Sequence, residues 1–393
     1  MKKSLEPKRP KVVGIDGKTP KIIKGKNSLV MVDKYINKYY PKTRFNIVTG
    51  KGDFGVSDKT FDDVYVEMQI EANIKVSKND FASYLKSNYV NKFDPFIDYF
   101  EGLKGKWNSD DKDHIDQLAN HIKAKDQPFF NVMFKKHLVR SVKQAINVGY
   151  ANRIVLVLQS KDQDLGKSTF IRALNPFGDE HYFEEITDDT KLMLTKCFIL
   201  NIEELENMNR VSVGKLKALI SSTHNNVRTF YTQTLESLPR RASIYASTND
   251  NDFLSDDKNT RWLVCEITGV NWGYSTDVNF DGIWAQAANL YYGGFNYELT
   301  QEEKHWLKEK AEGFKIQTKE MGFIQEYFRE SQEHTSTATI IASYLMEYKQ
   351  GVATLSSVYI GRALSSLGYE SKIKDGKKCW CIEHNDGRGE IKL

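Results

Sequence analysis

LVLQSKDQDLGKSTF, residues 156–170, decides how this chain is read. An apolar run gives way to a polar turn, and Gly-Lys-Ser-Thr stands where the next helix should begin. Such a loop holds phosphate because the main-chain N–H groups of a tight turn point at phosphate oxygens, with the positive end of the following helix behind them. Gly166 lets the backbone come close. The Lys167 ammonium would reach the β and γ phosphates, and the Ser168 hydroxyl would hold Mg²⁺. Binding of ATP with Mg²⁺ is therefore expected at Gln163, Asp164, Leu165, Gly166, Lys167, Ser168 and Thr169. The pattern G-x-x-x-x-G-K-[ST] is broken once, because Lys161 occupies the place of its first glycine. A side chain there costs about 1 kcal/mol if φ must be positive, and nothing if φ stays negative.

Two further apolar runs belong with the first. RIVLVLQ (153–159), KCFILNI (196–202) and ASIYAST (242–248) read as buried strands, with helical FIRAL and VGKLKALI between them. Buried strands alternating with helices predict a parallel α/β sheet covered on both faces. The second run continues into Glu203 and Glu204. An ATPase needs one carboxylate for the Mg²⁺ shell and one to orient water. Glu203 is assigned to the metal and Glu204 to the attacking water. The alternative is an acidic helix start. The third run ends at Asn249, an amide placed to sense the γ-phosphate or position water; the alternative is a turn former. Arg261 follows in DDKNTRWLVCEI (256–267). It is expected to reach a neighbouring subunit's nucleotide and stabilise transition-state charge; the alternative is a surface salt bridge with Asp256 or Asp257.

Outside this core the signals are structural. DDVYVEMQI (62–70) has strand character. SKNDFASYLKSNYV (77–90) and FFNVMFKKHLVRSVKQAINV (129–148) read as helices, and FDPFIDYFEGL (93–103) is aromatic and amphipathic. Near the C-terminus, TATIIASYLMEYK (337–349) and LSSVYIGRALSSLGYE (355–370) read as helices. SKIKDGKKCWCIEH (371–384) reads as a hairpin turning at Asp375-Gly376. Two helices followed by a basic hairpin resemble a winged helix-turn-helix. Arg362 would then face duplex DNA, and Lys374 and Lys377 its phosphates; the alternative is a protein-binding module. Cys379-x-Cys381-x-x-His384 lacks an evident fourth zinc ligand and alternates like a strand.

The ordered set of phosphate loop, strand with Glu-Glu, STN (247–249) and TRW (260–262) resembles the ATPase core of superfamily 3 helicases. It is most similar to the virulence-associated E (VapE-like) proteins of phages and mobile elements. FNIVTG (45–50), NKFDPFIDYFEGLKGKW (91–107) and VRTFYTQTLESLPRRASIYASTN (227–249) carry the same resemblance, over roughly residues 40–270. The resemblance implies an AAA+-like P-loop core, a ring that is typically a hexamer, and a replication module that often includes a primase; no primase metal-site pattern is seen in the N-terminal region, so any primase is expected on a separate chain. It also implies a hairpin before the third strand that projects into the ring channel. That hairpin offers Arg228, Tyr231, Arg240 and Arg241 to single-stranded DNA, with cations following phosphates and aromatics stacking on bases; the alternatives are that Arg240 or Arg241 faces an adjacent subunit's nucleotide and that the aromatics belong to the core. Lys161, Glu203 in place of the usual Asp, and Thr260 depart from the family pattern and bear on hydrolysis rate.

With 393 residues, 40% hydrophobic and 27% charged, the chain has the composition of a multidomain globular protein. The expected division is a basic arm at 1–28, an N-terminal mainly helical collar at 29–150, the ATPase at 151–320 and a winged helix at 321–393. The arm holds nine Lys/Arg, two acids and three prolines. No apolar run nears membrane-span length, and no signal-peptide apolar region is seen at the start, so a cytoplasmic location in a bacterial host is expected. The expected activity is an ATP-driven DNA helicase with possible origin recognition. The rivals are a non-hydrolysing DNA-binding initiator and a nucleic-acid-sensing regulatory ATPase.

Overall fold

The computed structural model describes residues 27–178, 182–183, 186–205, 210–228, 235–250, 253–254, 261–314, 318–348 and 354–391. Nearly all of the expected basic arm lies outside these residues. The chain divides into two units, Met1–Asn249 with Arg261–Thr300, and Asp250–Thr260 with Gln301–Leu393.

The first unit opens with a small α/β layer: α1 (Ser28–Tyr39), β1 (Arg44–Asn46), β2 (Lys51–Asp53), α2 (Phe61–Ile70), α3 (Lys78–Lys86) and β3 (Asn91–Phe93). The three strands pair in the order β2-β1-β3. Residues 62–70 are helix, not strand. Thr60 and Asp63 form a reciprocal capping box, and Val64 and Met68, four apart, are buried while Val66 and Ile70 are exposed. The local cap and the one-sided burial outweigh the β-branched composition. Ser77 caps α3, accepting from the Asp80 N–H.

Next come α4 (Pro95–Gly102), α5 (His114–Ala119), β4 (Ile122–Ala124) and α6 (Gln127–Ile146). Asp94 caps α4, with Pro95 at its first position. Phe96 and Phe100 dock on Phe198, and Phe198 meets Trp284 edge-on at 4.8 Å. This aromatic cluster explains the FDPFIDYF run as a clip between layers.

The central sheet uses β4 with β5 (Val155–Gln159), β6 (Tyr182–Phe183), β7 (Ile199–Ile202), β10 (Ser243–Thr248) and β11 (Trp262–Val270), in the order β4-β11-β5-β10-β7-β6. β11, β5, β10, β7 and β6 run parallel, and β4 is an antiparallel edge. Interspersed are α7 (Lys167–Ala173), α8 (Asp188–Lys196) and α9 (Arg210–Ser221), with the hairpin β8 (His224–Arg228) and β9 (Leu235–Pro239) ahead of β10. α10 (Tyr274–Asp277) and α11 (Phe280–Tyr292) follow. The expected parallel α/β sheet is present. Because β4 and α6 precede residue 150 yet pack with it, the expected boundary at 150 cuts through one unit.

The inner α6 carries His137, fully buried with its ring edge-on to Tyr245 at 4.6 Å. Neither ring nitrogen has a hydrogen-bond partner among the described residues. Burial, helped by the Arg140 charge, pushes its pKa down to about 3. The unfolded chain, with an ordinary value near ~6.5, binds the extra proton between these limits. Stability therefore falls as pH drops below about 6.5. The group should cost about 1.5 kcal/mol between roughly pH 6.5 and 5. Urea denaturation at both pH values should show a smaller loss in His137→Met; equal losses would refute this origin.

The second unit contains α12 (Gln301–Glu312), α13 (Lys319–Tyr327), β12 (Phe328–Thr337), α14 (Ala338–Tyr348), α15 (Ser357–Ser366), β13 (Ser371–Lys374) and β14 (Lys377–His384). It therefore starts before the expected residue 321. The strands form an antiparallel sheet in the order β12-β14-β13. Ile324, Phe328, Ile341, Leu345, Ile360, Leu364 and Ile382 form its core. Ser356 caps α15, and Asp375 and Gly376 turn the hairpin with φ of 50° and 71°, as a two-residue primed turn requires. Cys379 and Cys381 lie buried on β14, within the expected strand. Among the described residues no helix is long and apolar enough to cross a membrane.

Candidate nucleotide site

β5 is buried at every position and delivers the chain to Ser160 at its carboxyl end. The turn that follows keeps Lys161 out of the left-handed region; the positive φ angles fall on Asp164 (59°) and Gly166 (83°). The missing glycine therefore brings no backbone strain at Lys161. Gly166 is required twice over. Its φ disfavours any side chain, and a Cβ there would lie 2.3 Å from Cη2 of Trp272.

Lys167 opens α7 and is buried. Its Nζ donates to Ser160 Oγ at 2.7 Å and to Asn249 Oδ1 at 2.6 Å. Lys167 and Asn249, predicted after separate strands, thus meet directly. Ser168 Oγ stands 3.2 Å from Ser247 Oγ on β10. Asn201 at the end of β7 donates from Nδ2 to Glu203 Oε1 at 3.3 Å, holding that carboxylate half-buried. Glu204 is exposed and has φ of 51°.

Among the described residues, one cleft of about 320 Å³ is lined by Asp164–Thr169, Glu203, Glu204, Ser247–Asn249 and Trp272. The topology explains the convergence. β10 lies between β5 and β7, and the three strands are parallel, so all deliver their carboxyl ends to the same edge. Hydroxyl and carboxylate oxygens next to a phosphate-type loop are a hard-oxygen donor set. That suits Mg²⁺, which takes one or two protein ligands and fills its shell from water and phosphate. Sequence reasoning missed Ser160, Ser247 and Trp272. The signal for Trp272 was a large aromatic between Asn271 and Gly273, directly after a buried strand.

The remaining candidates are dispersed. Gln163 is exposed in the turn, and Arg261 directly precedes β11, with its carbonyl accepting from the Val155 N–H. Neither lines the cleft among the described residues. Arg228 ends β8 with an exposed side chain. Tyr231, with Phe230, lies outside the described residues, as does Thr260.

Arg240 and Arg241 are corrections to the expected DNA-contacting set. Arg240 is 1% exposed and donates to the carbonyls of Leu219, Ile220 and Asn152 and to Gln144 Oε1. Burial pushes its pKa down to about 10. Arg241 pairs with Asp94 at 2.6 Å and donates from Nε to the Ala145 carbonyl at 2.6 Å. Both guanidinium groups are spent inside the fold. In the second unit, Arg362 is exposed on α15 beside the Tyr359 ring, and Lys374 faces Lys377 across the hairpin tip.

Comparison with known proteins places these features. No curated protein matches the chain. The apo structure of the NrS-1 C-terminal region (305–718) is similar at 13% identity, covering 91% of this chain and 99% of that one, with a TM-score of 0.45. An A-form apo structure of the same region has 12% identity, coverage of 89% and 99%, and a TM-score of 0.41. Residues 101–316 match the virulence-associated protein E-like domain, more than half of the chain. They contain the strand ends, the loop and the cleft described above. The chain belongs to the virulence-associated protein E-like family.

Proposed function

We propose that this chain is an ATP-hydrolysing DNA helicase of superfamily 3, AAA+-like type, serving replication of a phage or mobile element. The observation that carries this reading is the meeting of Lys167, Ser168, Glu203, Glu204 and Asn249 around one cleft. In this reading the Lys167 ammonium leaves Ser160 and Asn249 for the β and γ phosphates. Ser168 and Glu203 would hold Mg²⁺, whose positive charge would offset that of the phosphate oxygens. Glu204 orients the attacking water, and Asn249, released from Lys167, contacts the γ-phosphate or that water. Arg261 lies outside the cleft lining of its own chain, where a residue acting on a neighbouring subunit's nucleotide would be placed. The proposed assembly is a hexameric ring, with a separate primase as partner.

Arg228 and Tyr231 are the proposed channel contacts to single-stranded DNA. The second unit is proposed as a winged helix for duplex DNA. Its order of helix, strand, two helices and hairpin supports this, as do exposed Arg362, Lys374 and Lys377. ATP turnover of the full chain, measured with and without single-stranded DNA and beside a forked-duplex unwinding assay, tests the proposal. DNA-stimulated turnover with strand separation is expected. Bound ATP without turnover would move the chain to the non-hydrolysing initiator class, and stimulated turnover without unwinding to the regulatory class.

A further inference from the structure

Trp272 lines the cleft although its side is opposite to the carboxylates. It follows β11, which flanks β5 on one side, while Asn249 and the two glutamates follow β10 and β7 on the other. The indole is 51% exposed, yet its benzo edge lies against Gly166 closely enough to exclude a Cβ. The backbone beneath it is fixed. Asn271 N–H donates to the His121 carbonyl at 2.7 Å, and both N–H and Oγ of Ser275 donate to the Trp272 carbonyl. Tyr274 stands behind, its ring 6.1 Å away and inclined by 27°.

The geometry points to Trp272 as the platform on which the base of the bound nucleotide stacks. The inference rests on the proposed nucleotide site. A triphosphate whose γ end faces Glu203 and Glu204 must extend its nucleoside the other way along the loop, toward β11. There the chain offers a large, half-exposed π face held by a pinned turn. An aromatic face stacks on any base and favours the larger rings, so the ligand class is a purine nucleoside triphosphate. Gly166 then has a second role, keeping the indole low over the phosphate loop so that base and phosphates are reached together.

Calorimetric binding of Mg–ATP and of inorganic tripolyphosphate to the full-length wild type, Trp272→Ala, Trp272→Met and Trp272→Phe tests this. Trp272→Ala and Trp272→Met should weaken ATP about 10- to 100-fold while leaving tripolyphosphate affinity unchanged. Trp272→Phe should retain most of the ATP affinity. Met fills the space without a π face, so the result does not depend on the alanine variant folding well. If the wild type binds neither ligand, the nucleotide site itself fails. If the wild type binds ATP but the Ala and Met variants match it, or lose tripolyphosphate in the same proportion, the platform is overturned and the site stands.

Discussion

Lys167→Ala is expected to reduce ATP turnover by at least about 10²- to 10³-fold, the cost of removing one preorganised group from developing transition-state charge. The fold should survive the change. Ser160 Oγ keeps its 2.7 Å bond to the Asp162 carbonyl when the ammonium is gone. The cleft is open, so water can solvate the exposed faces of the site. Lys167→Arg should not rescue the loss. A planar, longer guanidinium does not replace a compact ammonium lodged between Ser160 and Asn249. Steady-state ATP hydrolysis beside thermal denaturation separates the two effects. Turnover within a few-fold of wild type in the alanine variant would remove Lys167 from the chemistry, and with it the proposed motor.

The largest stability effect is expected at Arg241. Its side chain is 4% exposed and Asp94 is 7% exposed, so the pair is shielded from water. Asp94 also accepts through Oδ1 from the N–H groups of Phe96 and Ile97, which starts α4. Arg241→Met should leave a buried carboxylate and the Ala145 carbonyl without their cation, costing about 3–5 kcal/mol. The double variant Arg241→Met with Asp94→Asn should recover part of that loss, because the orphaned charge disappears while the cap can persist. Urea denaturation of the single and double variants gives the coupling. Unchanged stability with weakened DNA binding would restore the role that the sequence suggested for this arginine.

The two arginines show where local reading stops. LPRRAS (238–243) looks like a basic patch ahead of a strand, and nothing in its neighbours announces burial. The acceptors are far along the chain: Asp94, Gln144, Ala145, Asn152 and the end of α9. A guanidinium can enter the interior only where such acceptors already converge, and their convergence is a property of the packed fold. The same limit applies to 62–70. A β-branched run there becomes helix because the Thr60–Asp63 cap and a single buried face favour it. Trp272 escaped notice for a related reason. Its closeness to Gly166 joins residues more than a hundred positions apart, across neighbouring strands.

By itself the sequence determined the buried strands, the Gly-Lys-Ser loop, the Glu-Glu pair, Asn249 and the terminal helices and hairpin. Each is written in a short window, as a run of apolar residues, a turn requirement or a polar group at a strand end. Tertiary structure alone decided that Lys167 grips Ser160 and Asn249, that Lys161 sits without strain, that Arg240 and Arg241 face inward, and that an indole covers Gly166. Those outcomes depend on which strands lie side by side. Strand order is set by the packing of the whole sheet, and no local stretch of residues encodes it.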